Sequence, residues 1–402
     1  MELLWESDWR LAQQYPEETM HSLAIKDLIA AGMIDHGALD FDDRGTGLAP
    51  RRLPDWTRAQ LPQPMDVTVR MPSGVRLRFA TESTGVGISF LATTWAMPDR
   101  ERRPVVFNLE TGGTLLRAES TSGNAIVVKP EAPGGFDLVR GEADTLLFDD
   151  LPSGDKTCEL WLPHNALVEL RALVVDDGAA ITAAPADGRR RWVHYGSSIS
   201  HCVEASEPAG TWPAVAARLA DVSLRNLGFG GQCHLDQFVA RTIRDLPEVD
   251  IVSIKTGINI VNMDSMRERV FTPALHGFLD TIREAKPEVP IVVISPIYCP
   301  SAETRPGPTI PDGQGKFVTI DGFEQFRNGS LSLVRIREII ADVVEKRRTA
   351  GDPGLHYVDG LTLFGAEDAH DLPDDLHPNP AGYRRMGERF APGLAELAAT
   401  LD

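Results

Sequence analysis

Residues 192–200 have the sequence WVHYGSSIS, in which an apolar run ends at a glycine and two serines. This pattern predicts a buried strand that ends in a tight loop. The rhythm of apolar run, glycine-bearing loop and helical pattern then repeats. Strands are expected at 191–195, 222–227, 250–256, 290–296 and 355–359. Helices are expected at 212–220, 234–245, 265–285, 331–348 and 380–399. Such alternation predicts an α/β domain with a mostly parallel sheet covered by helices.

The chain before residue 191 shows a different pattern of polar and apolar residues. Short runs of alternating polarity lie at 66–70, 76–79, 87–91, 124–128 and 157–162, separated by Gly, Pro, Asp and Ser. Regular short strands with turn signals predict an antiparallel β-sandwich. We therefore expect a partly helical lead-in at 1–60, a jelly-roll-like β-sandwich domain at 61–185 and the α/β domain at 190–402. Within the lead-in, residues 20–33 carry a helical pattern.

Composition excludes several classes of partner. The 402 residues carry a net charge of −18, which argues against nucleic acid or an anionic membrane as a partner. No apolar run approaches the roughly 20 residues that span a bilayer. The first eight residues lack a basic region and an apolar core, so we expect no signal peptide. Four cysteines without a CxxC pair indicate a reducing, cytoplasmic setting.

Ser198 is a candidate nucleophile because it follows a strand end. A serine hydroxyl needs a base, and the base needs a group that fixes its tautomer. Asp374 and His377 could supply both on a tight loop, which Asn379 and Pro380 would close by starting the next helix. Taken alone, such a pair is common by chance, and both residues could be ordinary loop residues.

Two further strand ends carry groups that could stabilise a developing oxyanion. Gly231 can offer its backbone N–H, and Asn259 follows a glycine turn and can offer its side-chain amide. Each alone is also explained as a strand-to-helix turn. Because ligands bind at the carboxyl ends of parallel strands, we expect these groups to converge with Ser198. A dinucleotide site at 228–233 is excluded because Cys233 occupies the third glycine position.

The order of these groups carries a family resemblance. The chain supplies Gly196-Ser197-Ser198, Gly231, Gly257-Ile258-Asn259 and Asp374 with His377. In this order the region 190–400 resembles the SGNH (GDSL-type) hydrolases. Two positions depart from the family pattern, because Ser197 and Ile260 replace the usual aspartates. The form Gly-Ser-Ser-Ile, with the stretch 160–170, looks like a branch in which a β-sandwich precedes the hydrolase domain.

The resemblance implies a flavodoxin-like three-layer α/β/α domain. It also implies that Ser198 is the nucleophile and that Asp374 and His377 complete a catalytic triad. The Ser198 N–H, the Gly231 N–H and the Asn259 side chain would form the oxyanion hole. We expect no cofactor.

Several nearby residues have simpler explanations. His194, His201 and His234 lack matching carboxylates at ligand spacing, so we expect no metal and assign them to packing or pocket lining. Cys202 and Cys233 lack the surrounding groups that would make them thiol nucleophiles, and they are expected to be buried small residues.

The segment 299–327 is long and rich in Pro and Gly. Long loops in compact domains are often functional. Its aromatic residues, together with Tyr298, could contact an acyl group or a sugar, or the segment could be an ordinary surface excursion; they are Phe317, Phe323 and Phe326.

We therefore expect a serine esterase that hydrolyses small acyl esters, of the acetyl type, on a carbohydrate or a secondary metabolite. Its partner would be a small-molecule ester, and the sequence leaves a homo-oligomer open. Two alternatives remain. The same triad could pass the acyl group to an alcohol or amine, or the chain could be a non-catalytic binding protein on a hydrolase scaffold.

Overall fold

The strands of the N-terminal region form two packed sheets. The computed structural model describes residues 19–98, 101–129, 132, 134–320, 325 and 327–401. The N-terminal strands are β1 (Met20–Ala24), β2 (Asp35–His36), β3 (Asp40–Asp43), β4 (Leu48–Arg51), β5 (Arg76–Thr81), β6 (Val86–Ala96), β7 (Val105–Thr111), β8 (Thr114–Ser120), β9 (Asn124–Val128), β10 (Phe136–Val139), β11 (Asp144–Phe148), β12 (Lys156–Trp161), β13 (Leu167–Asp176) and β14 (Ile181–Thr182).

These two sheets are almost entirely antiparallel. The larger runs β10-β9-β6-β13-β4-β3, with β1 on β13 and β11 on β6, and the smaller runs β14-β5-β12-β7-β8, with β2 on β5. Only the β6–β9 pair is parallel among the described strands of this region. Apolar residues from both sheets share one core, in which the rings of Phe90 and Phe107 lie 4.7 Å apart. The predicted antiparallel region is therefore confirmed.

Two local predictions in this region are wrong. The run 66–70 was expected as a strand, but it lies in helix α2 (Gln63–Val69). Pro64 occupies the first turn, and the buried side chains are Met65 and Val69, which are four residues apart as a helix face requires. The alternation of Val67 and Val69 imitated a strand.

The second error concerns residues before 61. The helical pattern at 20–33 yields only α1 (Ile25–Ala30), because Met20–Ala24 pairs with β13 as a strand. Tertiary pairing overrides the local preference here. The interpretation of 1–60 as a lead-in also missed β2, β3 and β4, while residues 1–18 lie outside the described part of the chain. The limits 61–185 and 190–402 stay predictions.

The C-terminal region is built on a parallel sheet, as predicted. Its strands are β15 (Arg190–Gly196), β16 (Val222–Gly228), β17 (Ile251–Lys255), β18 (Ile291–Ile294) and β21 (Leu355–Val358), in the order β16-β15-β17-β18-β21. A separate hairpin consists of β19 (Thr309–Pro311) and β20 (Phe317–Thr319). The register aligns Gly196 with Gly228 on one side and with Lys255 on the other. Three strand ends therefore meet at one edge.

Helices cover both faces of this sheet. They are α3 (Ser198–His201), α4 (Trp212–Leu219), α5 (Gln237–Asp245), α6 (Ile258–Asn262), α7 (Glu268–Arg283), α8 (Leu333–Thr349), α9 (Gly360–Leu363) and α10 (Pro380–Ala399). Strand β15 shows the three layers directly. Trp192 packs on Trp212 of α4 and Phe390 of α10, whereas Tyr195 stacks on Phe278 of α7. None of the described helices has the length and low charge that crossing a bilayer would require.

The N-terminal region packs against the parallel sheet. Leu53, Met65, Val69 and Trp161 belong to the same buried cluster as the strands of the C-terminal sheet. The shared core includes residues of edge strand β16, and β16 leads directly into the loop beside Ser198. The N-terminal region therefore packs close to the site.

Candidate active site

Ser198 lies where β15 turns sharply into α3. Gly196 ends the strand, and a Cβ there would lie 2.2 Å from Ser200 Oγ, so only glycine fits without a shift. Ser197 caps the helix, because its side chain accepts a hydrogen bond from the Ile199 N–H. Ser198 is half-buried as the first helical residue. The turn thus presents a serine hydroxyl at the carboxyl end of the parallel sheet.

The loop before α10 brings His377 to that hydroxyl. His377 Nε2 lies 3.0 Å from Ser198 Oγ, and His377 Nδ1 lies 2.7 Å from Asp374 Oδ2. Asp374 Oδ1 also accepts hydrogen bonds from the N–H groups of Leu376 and His377. An ionised Asp374 requires the proton on Nδ1, which leaves Nε2 as an acceptor for the serine hydroxyl.

The start of α10 anchors this loop. Asn379 Oδ1 accepts from the Gly382 N–H at 2.9 Å, and Asn379 donates its own N–H to the Asp371 carbonyl. The cap predicted for Asn379 and the position of Pro380 at the first turn are confirmed. Because both ends of the loop are hydrogen-bonded, the imidazole is held in one orientation.

The charges around His377 favour its protonated form. Burial lowers the pKa of His377, but the hydrogen bond that His377 donates to Asp374 and the charges of Glu204 and Asp374 outweigh burial and raise that pKa above the ordinary histidine value. Burial acts to raise the pKa of Asp374, yet its hydrogen bonds to His377 and Leu376 lower it overall. Asp374 therefore stays ionised beside an imidazole whose pKa is raised.

Sequence reasoning missed Glu204, the second carboxylate that acts on His377. Glu204 is half-buried and accepts a hydrogen bond of 2.8 Å from the hydroxyl of Tyr383, which is fully buried. The pair joins the chain after α3 to α10 across 179 residues, so no local pattern signals it.

The two other predicted site residues lie on neighbouring strand ends. Gly231 has a φ of +69°, which glycine adopts without strain, and it sits in a turn closed by a hydrogen bond from the Gln232 N–H to the Phe229 carbonyl. A Cβ added at the adjacent Gly230 would lie 4.0 Å from the Ser198 Cβ. The loop that carries Gly231 therefore runs directly beside the serine.

Asn259 is tied to the same loop. Its Oδ1 accepts a hydrogen bond of 3.0 Å from the Cys233 N–H, which fixes the amide and leaves Nδ2 as its donor. Within the described residues, no hydrogen bond to another protein group uses the N–H of Ser198 or of Gly231. Among the described residues these two N–H groups are therefore free to donate to a bound group. Their role as an oxyanion hole, together with the Asn259 amide, belongs to the proposal below.

The three histidines flanking the serine are engaged in packing. His194 contacts Ser200 Oγ and Ser253 Oγ, while His201 lies 2.9 Å from the His164 carbonyl through Nε2. Burial lowers the pKa of both rings well below the ordinary value. His234 contacts Ser265 Oγ at 2.9 Å. In the described part of the chain, no group of three or more His, Cys, Asp or Glu residues is arranged to hold a metal ion.

The two cysteines near the site are buried and free, as expected. Burial raises the pKa of Cys233 to about 12 and that of Cys202 well above its usual value. Neither thiol is activated as a thiolate nucleophile.

The segment 299–327, which the sequence predicts as a long loop, contains the β19–β20 hairpin. The β19–β20 hairpin lies over the histidine loop, because Phe317 donates its N–H to the Asp374 carbonyl and packs edge-on against His377 at 5.7 Å. Thr309 donates to Asn262 Oδ1 at 3.0 Å, which ties the hairpin to α6. Phe323 and Phe326 lie outside the described residues, and acyl or sugar contacts of Tyr298 and Phe317 stay a prediction.

Both regions of the chain match family models. Residues 194–385, a range that includes Ser198, Gly231, Asn259, Asp374 and His377, match the GDSL-like Lipase/Acylhydrolase family. The chain carries a GDSL-like acylhydrolase domain. Residues 33–171 match the N-terminal domain of SsfX3. The resemblance that the four sequence blocks predict is thereby confirmed for the C-terminal region, and the predicted branch with a preceding N-terminal domain is confirmed as well.

Solved structures with the same fold cover the whole arrangement. The salicylyl-acyltransferase SsfX3 from a tetracycline biosynthetic pathway is 28% identical, with a TM-score of 0.75 over 92% of this chain and 95% of that chain. A GDSL-like lipase from Bacteroides ovatus is 19% identical, with a TM-score of 0.67 over 94% and 98%. A family two carbohydrate esterase from Clostridium thermocellum, in complex with cellohexaose, is 16% identical, with a TM-score of 0.57 over 90% and 98%. The similarity to the lipase and to the carbohydrate esterase establishes a shared fold and nothing further. No match is found among curated proteins.

Proposed function

We propose that this protein is a serine esterase that cleaves small acyl esters through an acyl-enzyme on Ser198. The observation that carries the proposal is the continuous contact from Ser198 Oγ to His377 Nε2 at 3.0 Å and from His377 Nδ1 to Asp374 at 2.7 Å. A nucleophile within reach of a base, with the base held by a third group, is the arrangement that acyl transfer requires.

The reaction follows from these contacts. Ser198 Oγ attacks the ester carbonyl while His377 Nε2 takes its proton, and Asp374 stabilises the resulting imidazolium. The carbonyl oxygen becomes negative and accepts hydrogen bonds from the Ser198 N–H, the Gly231 N–H and Asn259 Nδ2. The C–O bond then breaks, and the leaving alcohol takes the proton from His377. Water, deprotonated by the same imidazole, then attacks the acyl carbon. The bond from that carbon to Ser198 Oγ breaks, Oγ takes the proton back from His377, and the acid is released.

The proposed substrates are small acyl esters, of the acetyl type, on a carbohydrate or a secondary metabolite. The 28% identity to a protein from a tetracycline biosynthetic pathway supports a secondary metabolite, rather than a carbohydrate, as the acylated alcohol. The edge of Phe317 against His377 supports a compact space for the acyl group on that side.

A second candidate is transfer of the acyl group to an alcohol or amine instead of water. The similarity to a salicylyl-acyltransferase across 92% of this chain favours it. Both candidates share the acyl-enzyme and differ only in what attacks it.

One experiment tests the proposal and separates the candidates. Wild type and Ser198→Ala are compared on p-nitrophenyl acetate, butyrate and octanoate, with and without an added alcohol or amine. An esterase releases the free acid at the rate of p-nitrophenol without an acceptor, and Ser198→Ala should lose several orders of magnitude in turnover. An acyltransferase produces the new ester or amide only with the acceptor. No turnover under either condition, or equal turnover in the variant, would contradict the proposal and favour a binding protein.

A further inference from the structure

Arg52 is a buried cation at the contact between the N-terminal region and the parallel sheet. It is 1% exposed, and among the described residues it makes no ion pair with a carboxylate. An unpaired buried charge costs several kcal/mol unless hydrogen bonds compensate it. Burial lowers the pKa of Arg52 to about 9, so the guanidinium stays charged at neutral pH.

Backbone carbonyls of two different regions supply the compensation. Arg52 Nη1 donates to the Gly228 carbonyl at 2.6 Å and to the Asn226 carbonyl at 3.2 Å, while Nη2 donates to the Thr68 carbonyl at 2.7 Å. The guanidinium carbon also lies 4.6 Å from the centre of the Phe229 ring. The planar guanidinium of arginine can donate to these three carbonyls and lie against the ring at the same time, whereas the ammonium group of a lysine cannot.

Two of these carbonyls, those of Asn226 and Gly228, lie at the end of β16, directly before the loop that carries Gly231. Gly228 ends β16, Phe229 donates its N–H to the Gly196 carbonyl, and the next two residues form the turn beside Ser198. The loop has little freedom here, because a Cβ at Gly228 would lie 2.5 Å from the backbone of Ser200. Arg52 therefore fixes the segment directly before the proposed oxyanion donor.

The charge of Arg52 also reaches this turn. His201 Nδ1 accepts a hydrogen bond from the Gly230 N–H at 3.4 Å, and the charge of Arg52 adds to burial in lowering the pKa of His201. A positive charge in a water-poor environment acts over longer distances than one in solvent. An oxyanion forming beside Gly231 would gain from it.

We propose that Arg52 is a positioning residue for acyl transfer, which holds the 228–231 loop in place for the developing oxyanion and adds a buried positive charge behind it. This inference rests on the proposed function of Ser198. It gives the N-terminal region a catalytic purpose, because the residue that orders the loop comes from outside the acylhydrolase domain.

The test compares Arg52→Met with Arg76→Met in the full chain. Arg76 is the matched control, because it also bridges the two regions, donates to the Leu224 carbonyl of β16 at 3.2 Å and lies 4.9 Å from the Trp161 ring. The Leu224 carbonyl that Arg76 contacts lies four residues before the 228–231 loop. The readouts are kcat and KM for p-nitrophenyl acetate, thermal unfolding, and labelling of Ser198 by a fluorophosphonate.

We expect Arg52→Met to lower kcat by about 10- to 100-fold, which is less than the roughly 10²- to 10³-fold loss for removing an oxyanion donor outright, with little change in KM. Arg76→Met should unfold at a lower temperature but keep its kcat. In an Asn259→Ala background, Arg52→Met should cost less than it does alone, because both changes act on the same oxyanion. Arg52→Lys, which keeps the charge and loses the planar guanidinium, should give an intermediate loss.

The outcomes that overturn the inference are specific. A folded Arg52→Met protein with the kcat of wild type would reduce Arg52 to a structural residue, as would equal losses in Arg52→Met and Arg76→Met or full additivity with Asn259→Ala. If Arg52→Met does not fold, wild-type kcat in Arg52→Lys is the contradicting result. A wild type that neither cleaves the ester nor takes the label would instead contradict the proposed function, and this inference with it.

Discussion

His377 Nε2 lies 3.0 Å from Ser198 Oγ, although 179 residues separate the two in sequence. The contact joins the first parallel strand to the loop before the last helix. It exists because the chain returns to the same edge of the sheet after each crossover, so that groups from distant strand ends meet there.

Asp374→Asn should lower kcat by about 10³- to 10⁴-fold, because an amide no longer selects the tautomer with a proton on Nδ1. The amide oxygen can still accept from the N–H groups of Leu376 and His377, so the fold should persist. Steady-state kinetics on p-nitrophenyl acetate and thermal unfolding measure the two effects. Asp375→Asn is the control: Asp375 has a φ of +63°, which Asn tolerates, and its side chain pairs with exposed Lys316. Equal losses in both variants would contradict the role of Asp374.

The activity should fall on the acid side with an apparent pKa above that of an ordinary histidine. The pKa of His377 is raised, so the base is protonated and inactive below that value and becomes active as the pH rises through it. Glu204→Gln removes one of the charges that raise this pKa and should move the acid limb of kcat/KM to lower pH.

Glu207→Gln is the matched control for the pH profile. Glu207 lies three residues further on and contacts Asn108, and its charge is not among those that shift the pKa of His377. Its pH profile should match that of wild type. An acid limb that moves to higher pH in Glu204→Gln, or that shifts equally in both variants, would contradict the electrostatic account.

Asn259→Ala should reduce kcat by about 10²- to 10³-fold, as expected for the loss of one oxyanion donor, with a smaller effect on KM. Asn262→Ala tests the specificity of the effect, because Asn262 ends the same helix and its side chain bonds to Thr309 of the hairpin. Its kcat should stay close to that of wild type. If Asn259→Ala retains full turnover, the oxyanion assignment is wrong.

Gly228→Ala should destabilise the protein by about 1–3 kcal/mol, the range for overpacking, because its new Cβ would lie 2.5 Å from the Ser200 backbone. The displaced α3 should also reduce turnover. Gly188→Ala provides the comparison, since nothing lies within 4 Å of a Cβ there. Denaturant unfolding measures both, and equal stability of the two variants would argue against a tight contact.

The sequence predicts the parallel region well because buried strands and amphipathic helices there alternate clearly. It fails where tertiary contacts override local pattern: Met20–Ala24 becomes a strand only by pairing with β13, and Val67 and Val69 mimic a strand within a proline-initiated helix. Ser198, Gly231 and Asn259 follow strand ends and were accessible to sequence reasoning.

The supporting residues were not accessible in this way. Arg52 and Asn226 are 174 residues apart, and Glu204 and Tyr383 are 179 residues apart. The first pair depends on how the N-terminal region packs against the parallel sheet, and the second on how α10 packs beside the chain after α3. Neither spacing nor residue type signals such packing.

The central claim is that Ser198 forms a covalent acyl-enzyme. The most direct measurement treats wild type and Ser198→Ala with a fluorophosphonate and locates the adduct by peptide mass spectrometry. We expect one adduct per chain on the peptide containing Ser198, and none in Ser198→Ala. An unlabelled wild type, or an adduct that persists elsewhere in Ser198→Ala, would contradict it.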